Sequence, residues 1–369
     1  MLYRYIFALL LSVSLLVSGC VTTGQTDDPT LKTAAKPAYS IEGVNDSLIV
    51  SVSPARQTLQ IGGSTGAILG AGISAISNAK HRRAITEAIG GYDCGAVFEE
   101  RLESRLLALV PNGERVSNRV STAGYRSHQE AEQARYDALD RNGHALVLDL
   151  SMTYGLFGYE GTLIAKLDGA LRSMPDGSAI WRESIVVNSA SILASDRLAD
   201  PSKTLAPNFS SPRLKVEDDA IAQWTGDGGK VFQERYVTAV DGCVSAVLTD
   251  LGLVDEALGH YFLGKQKMNQ KKFEAADKHF RRALELDPSL IEAQNGFAVN
   301  LAHNGQIEDA ITAEKALIEN HPDYAAGQFN LAYWYAIDQD APEEARSYYK
   351  KAQELGLPSL KKIDKALNK

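Results

Sequence analysis

The stretch EALGHYFLGKQKMNQKKFEAADKHFRRALELDP, residues 256–288, decides the fold of the C-terminal part of the chain. It places Leu263 and Gly264 in a first helix, then Ala276, Phe280 and Ala283 in a second, and closes on Asp287-Pro288. Small residues let the two helices approach, and Phe280 fills the gap they leave. His321-Pro322 repeats the closing pair 34 residues further on. A second unit runs from about Ile291, with Phe297, Ala298, Ala310 and Leu317, and it has Glu314 where the pattern calls for an aromatic. A third has Leu331, Ala332 and Tyr335, then Ala345, Tyr349 and Ala352, with a one-residue slip in the turn from Asp338 to Pro342. Lys361 to Lys369 starts a capping helix, with Ile363 and Leu367 as its apolar contacts.

This period and these packing positions resemble the tetratricopeptide repeat. The resemblance implies a short superhelical stack, in which each helix pair buries its face only against a neighbour. The first helices of such a stack line a concave groove. Gln294, Asn295, Asn300 and His303 fall on that helix of the second unit, and Gln328, Asn330, Tyr333 and Trp334 on that of the third. Amide side chains in a groove can hold an extended peptide backbone, and aromatics add contact area. A protein partner in the groove is therefore expected, unless these side chains simply face water.

Upstream, the pattern changes to strands and amphipathic helices. Ser47 to Val52 alternates as a strand does, and Val116 to Val120 has the makings of a short one. Ala96 to Leu109 is an amphipathic helix, and His128 to Leu139 is helix-forming and charged. His144–Tyr154, Thr162–Arg172 and Ala179–Asn188 read as an antiparallel meander, with a turn at Pro175-Asp176-Gly177. Helices follow at Val216–Trp224 and Gly228–Leu251. The fold class expected is α+β: a small, mostly antiparallel sheet with packed helices over residues 45–255, then an all-α superhelix over residues 256–369. Leu48-Ile49-Val50-Ser51-Val52, the His144–Tyr154 strand and the phrase Asp176-Gly177-Ser178-Ala179-Ile180-Trp181 resemble the α/β domain of lipoproteins related to the curli-secretion lipoprotein. That resemblance implies an alternative role, as a subunit of an oligomeric export complex.

The N-terminus supplies an address. Arg4 precedes an uncharged run, Ile6 to Val17, too short to span a bilayer as a helix, and Leu16-Val17-Ser18-Gly19-Cys20 closes it. This resembles the bacterial lipobox, which implies a signal peptide over residues 1–19, cleavage before Cys20, and acyl (palmitate-type) chains on that cysteine. Val21, rather than Asp, resembles the sorting pattern of outer-membrane lipoproteins facing the periplasm. Residues 20–44 read as a flexible tether. In such an oxidising compartment Cys94 and Cys243 are expected to form a disulfide. Gly62, Gly66 and Gly70 recur every fourth residue, a bare stripe suited on a helix to close packing, self-association or peripheral bilayer contact.

Chemistry is sparse. A net charge of −8 argues against nonspecific nucleic-acid binding, which needs clustered Lys and Arg. Gly62-Gly63-Ser64-Thr65-Gly66 imitates a hydrolase nucleophile elbow, but a single preceding strand is no such setting. The seven histidines are dispersed and form no zinc motif. Neither a cofactor nor a small-molecule substrate is evident. The expectation is a noncatalytic, lipid-anchored scaffold or assembly factor.

Overall fold

The computed structural model describes residues 30–34, 36–43, 49–51, 71–117, 123–157, 162–188, 214–357 and 359–368. The N-terminal part runs α1 (Thr30–Thr33), β1 (Pro37–Gly43), β2 (Ile49–Ser51), α2 (Ala71–Ile89), α3 (Cys94–Leu109), β3 (Glu114–Arg115), α4 (His128–Arg141), β4 (Leu146–Phe157), β5 (Thr162–Ser173), β6 (Ala179–Asn188) and α5 (Leu214–Asp250). Cys20, Gly62, Ser64, Gly66 and Gly70 lie outside the described residues.

The meander forms as its alternation dictates. β4 pairs antiparallel with β5 from Leu146 opposite Ser173 to Phe157 opposite Thr162, and β5 pairs antiparallel with β6. Leu148, Leu150, Met152, Tyr154 and Leu156 of β4 are buried in one core with Leu163, Ala165, Leu167 and Leu171 of β5. The remainder of the sheet departs from expectation. Pro37–Gly43, assigned above to a flexible tether, is a strand inside the sheet, parallel to both β3 and β4. Tyr39 and Ile41 enter the main core while Ala38 packs beneath α4. The strand order is β3-β1-β4-β5-β6, with β2 parallel to β4 beyond β1, so the sheet is mixed. The short third strand is Glu114–Arg115; of the expected strand Val116–Val120, residues 118–120 lie outside the described residues.

The turn phrase around Gly177 has a steric cause. Gly177 has φ +68°, and a Cβ there would fall 2.2 Å from the Tyr136 ring of α4. No other residue fits that conformation and that space. Four residues on, Trp181 is buried and its Nε1 donates to Asp250 Oδ2 at 2.8 Å, tying β6 to the end of α5. α5 is broken at Gly226–Gly229 by non-helical backbone, as the two separate helical runs suggested.

Cys94 and Cys243, expected as a disulfide, are separate free thiols. α3 and α5 do pack together, but Cys243 Sγ points at the Ala165 carbonyl of β5, 3.9 Å away, while Cys94 opens α3 beside Tyr154. Burial pushes Cys94 up to about 11 and Cys243 up to about 12, so both stay protonated.

The C-terminal part forms three helix pairs: α6 (Ala257–Asn269) with α7 (Phe273–Leu286), α8 (Ile291–His303) with α9 (Ile307–Asn320), and α10 (Ala325–Tyr333) with α11 (Pro342–Glu354). A cap, α12 (Lys361–Leu367), buries Ile363 and Ala366. The slip in the third unit is a π-helical turn over Trp334–Asp338, which absorbs the extra residue. The stack is not hung on a free joint. Phe262 and Leu263 of α6 belong to the core of the sheet domain. Glu183 of β6, buried, accepts from Lys267 Nζ at 3.0 Å and Gln266 Nε2 at 2.8 Å. Arg105 of α3 meets Glu256 at 2.5 Å, and Ser245 of α5 donates to the same carboxylate at 2.6 Å.

Candidate functional site

The first helices of the repeats, α6, α8 and α10, follow one another in the stack, and the expected groove residues lie on the last two, except Trp334, which opens the π-helical turn after α10. The structure gives most of the expected peptide-binding amides internal partners. Gln294 Nε2 donates to the Pro288 carbonyl at 2.6 Å, and Gln328 Nε2 does the same to Pro322 at 2.9 Å. These positions are one repeat apart, so the glutamine braces the inter-repeat turn in both units. Asn300, buried, donates to the Phe273 carbonyl at the start of α7, 3.1 Å away. Asn330 Nδ2 donates to Asn295 Oδ1 at 2.8 Å, which joins α8 to α10. Trp334 is buried in the core of the second repeat interface.

His303 and Tyr333 retain accessible surface. His303 is exposed and stacks on Phe273, with ring centroids 6.0 Å apart and planes 6° off parallel. Tyr333 is half-buried; its hydroxyl accepts from Lys362 Nζ at 2.6 Å, and that ammonium lies 4.8 Å from the ring centroid. On α6, Lys265 Nζ sits 5.3 Å from the Tyr261 ring and 5.8 Å from that of Phe262. Sequence reasoning missed Tyr261, Lys265 and Lys362. For Lys265 the available signal was Tyr261 and Phe262 at helical spacing, a pairing that orders the ammonium without neutralising it; Lys362 lies 29 residues from Tyr333 and had no local signal.

A polar seam lies under the groove. Glu314 occupies the place in the second unit that Phe280 holds in the first, and Asn330 the place that Gly296 holds. In the first seam Phe280 fills space that glycines leave open: a Cβ on Gly296 would lie 2.6 Å from its ring, and one on Gly264 2.9 Å. In the second seam Glu314 is fully buried, and neither carboxyl oxygen meets a donor in hydrogen-bond geometry. Burial pushes its carboxyl up to about 8, and the Asn330 amide pulls it back slightly.

A second titratable cluster lies on the flank of the first repeat. His260 Nε2 is 2.8 Å from Asp255 Oδ1 and its Nδ1 is 3.0 Å from His279 Nδ1, while Arg282 also bonds Asp255. Burial, then the adjacent His260, brings His279 down to about 4. Among the described residues no group of three or more His, Cys, Asp or Glu is placed to hold a metal ion, and no helix is long and apolar enough to cross a membrane.

Fold and site thus define a helical-repeat interaction module seated on a mixed-sheet domain. Residues 257–290, comprising α6, α7 and the turn after them, match the tetratricopeptide repeat family. No curated protein matches the chain. Tetratricopeptide repeats are generally protein–protein interaction modules, and residues 257–290 carry one.

Proposed function

We propose that the chain is a lipid-anchored scaffold on the periplasmic side of a bacterial outer membrane, and that its repeat groove holds an extended segment of a protein partner. The observation that carries this reading is the repeat stack itself, with a matched first unit and accessible His303, Tyr333 and Lys265 on its first helices. The lipobox-like Leu16–Cys20 supports the anchor.

The reading is tested in cells with a photocrosslinking amino acid at His303 or at Tyr333. A discrete adduct at both positions, lost when the exposed control Glu343 carries the probe instead, is the expected result. Absence of any adduct at His303 and Tyr333 would overturn the groove. The anchor is tested separately: Cys20→Ala should move the protein from the detergent phase to the aqueous phase. Light scattering on the detergent-solubilised chain decides the export alternative, since a large ring of fixed stoichiometry would replace the scaffold reading.

A further inference from the structure

We propose that Glu314 is a proton-operated joint in the repeat stack: as the neutral acid it closes the seam between the second and third repeats, and losing its proton favours the opened seam. The inference concerns the stack and stands whatever the groove binds.

The comparison of the two seams carries it. One repeat earlier the same position is Phe280, a neutral plug set against Gly296. A carboxyl now fills that place, and the facing glycine has become Asn330. The space is closed on the other side as well. A Cβ on Gly327 of α10 would fall 2.7 Å from Glu314 Oε1 and 2.7 Å from Ile318 Cγ2, so the carboxyl already lies against the α10 backbone. The groups that face it are few. From α10 come the Asn330 amide and the Gly327 backbone, with the Tyr324 ring at the helix start. That amide is itself engaged with α8, since Asn330 Nδ2 donates to Asn295 Oδ1. On its own helix the adjacent cation, Lys315, lies 5.2 Å from the Tyr335 ring centroid. A neutral acid fits this lining. A carboxylate has one amide to meet it and is otherwise stripped of water, which is costly in a low-dielectric site.

The sign follows. Burial raises the closed-state value from 4.5 to about 8. With α9 and α10 parted, water reaches the carboxyl and its ordinary acidity returns. The closed seam therefore holds a proton that the open seam has released, and opening is favoured as pH rises through that interval. The opening constant should grow about tenfold per pH unit until the closed form itself ionises. Opening also withdraws Asn330 from Asn295, so the change reaches the groove floor.

The test is hydrogen exchange by mass spectrometry on the full chain between pH 5.5 and pH 7.5, with labelling times scaled to cancel the intrinsic pH dependence of exchange. Peptides from Ile307–Asn320 and Ala325–Tyr333 should lose protection about a hundredfold over that range, while peptides from α7 hold theirs. Glu314→Gln should abolish the difference. Protection that stays constant in the wild type, or a pH dependence that survives in Glu314→Gln, would overturn the proposal. If the glutamine variant does not fold, Glu314→Met makes the same comparison. Carbon-13 NMR of the wild-type side-chain carboxyls needs no variant. One glutamate should titrate above pH 7, and a set that titrates entirely below pH 5.5 refutes the joint.

Discussion

Rebuilding the second seam in the image of the first tests the register of the whole stack. The perturbation is Glu314→Phe together with Asn330→Gly, which copies the Phe280–Gly296 contact one repeat later. At the first seam a Cβ opposite the Phe280 ring would lie 2.6 Å away, so the ring introduced by Glu314→Phe should not coexist with Asn330. Overpacking of that kind costs about 1–3 kcal/mol. Removing the acid works the other way. At pH 7 the shift from 4.5 to about 8 makes the buried carboxyl a liability of about 3 kcal/mol, because the unfolded chain has released a proton that the folded chain must keep. The double variant keeps that gain without the overpacking. Its cost is the Asn330–Asn295 hydrogen bond, about 1 kcal/mol. We therefore expect the double variant to be about 2 kcal/mol more stable than wild type at pH 7, with a favourable coupling of about 1–3 kcal/mol between the two substitutions. Wild-type stability should fall as pH rises from about 4.5 to about 8, and the double variant should lose that slope. Urea denaturation followed by circular dichroism at pH 5 and pH 7.5 gives all the terms. Additivity within about 0.5 kcal/mol would show that the two seams are not equivalent.

Gly177→Ala combines a left-handed backbone with a Cβ 2.2 Å from Tyr136, and we expect a loss of about 3 kcal/mol or more, seen as a drop in Tm. A shift of less than about 1 °C, well under what a loss of that size produces, would mean the turn is misplaced. Cys94 and Cys243 should not react with an aromatic disulfide reagent until denaturant is added, and reductant should leave Tm unchanged. A fall in Tm on reduction would restore the disulfide. Glu183→Ala strands a buried ammonium and should cost about 3–5 kcal/mol, whereas Glu183→Leu with Lys267→Met should cost far less. Equal losses in the two would show that the contact owes its worth to packing, not to charge.

The repeats were legible because tetratricopeptide packing is written in local spacing. Gly264, Ala276, Phe280, Ala283 and Pro288 each occupy the role their size dictates. The meander was legible because Leu146 to Tyr154 and Ala179 to Asn188 alternate cleanly. β1 escaped because Pro37 and Gly43 bracket it and its partners are distant in the chain, Glu114 and Arg115 of β3 and Leu146 to Met152 of β4. Its parallel pairing has no local turn signal to announce it. The internal roles of the groove amides were hidden for a different reason. Asn and Gln carry donors and acceptors that serve a neighbouring turn as readily as a ligand, and only coordinates show that Pro288, Pro322 and Phe273 take them. Glu314 stood out as a departure, but its meaning required pairing it with Asn330, sixteen residues on in the chain and across the seam.

The seating of α6 against the sheet has a mechanical corollary. Glu183, Lys267 and Gln266 clamp one side of that helix and Arg105, Glu256 and Ser245 its start, so the superhelix is a lever welded at its base. Tension on a captured polypeptide would pass straight into β6 and α5 instead of being lost in a swivelling hinge. Cargo held there would keep one bearing with respect to the body that carries it.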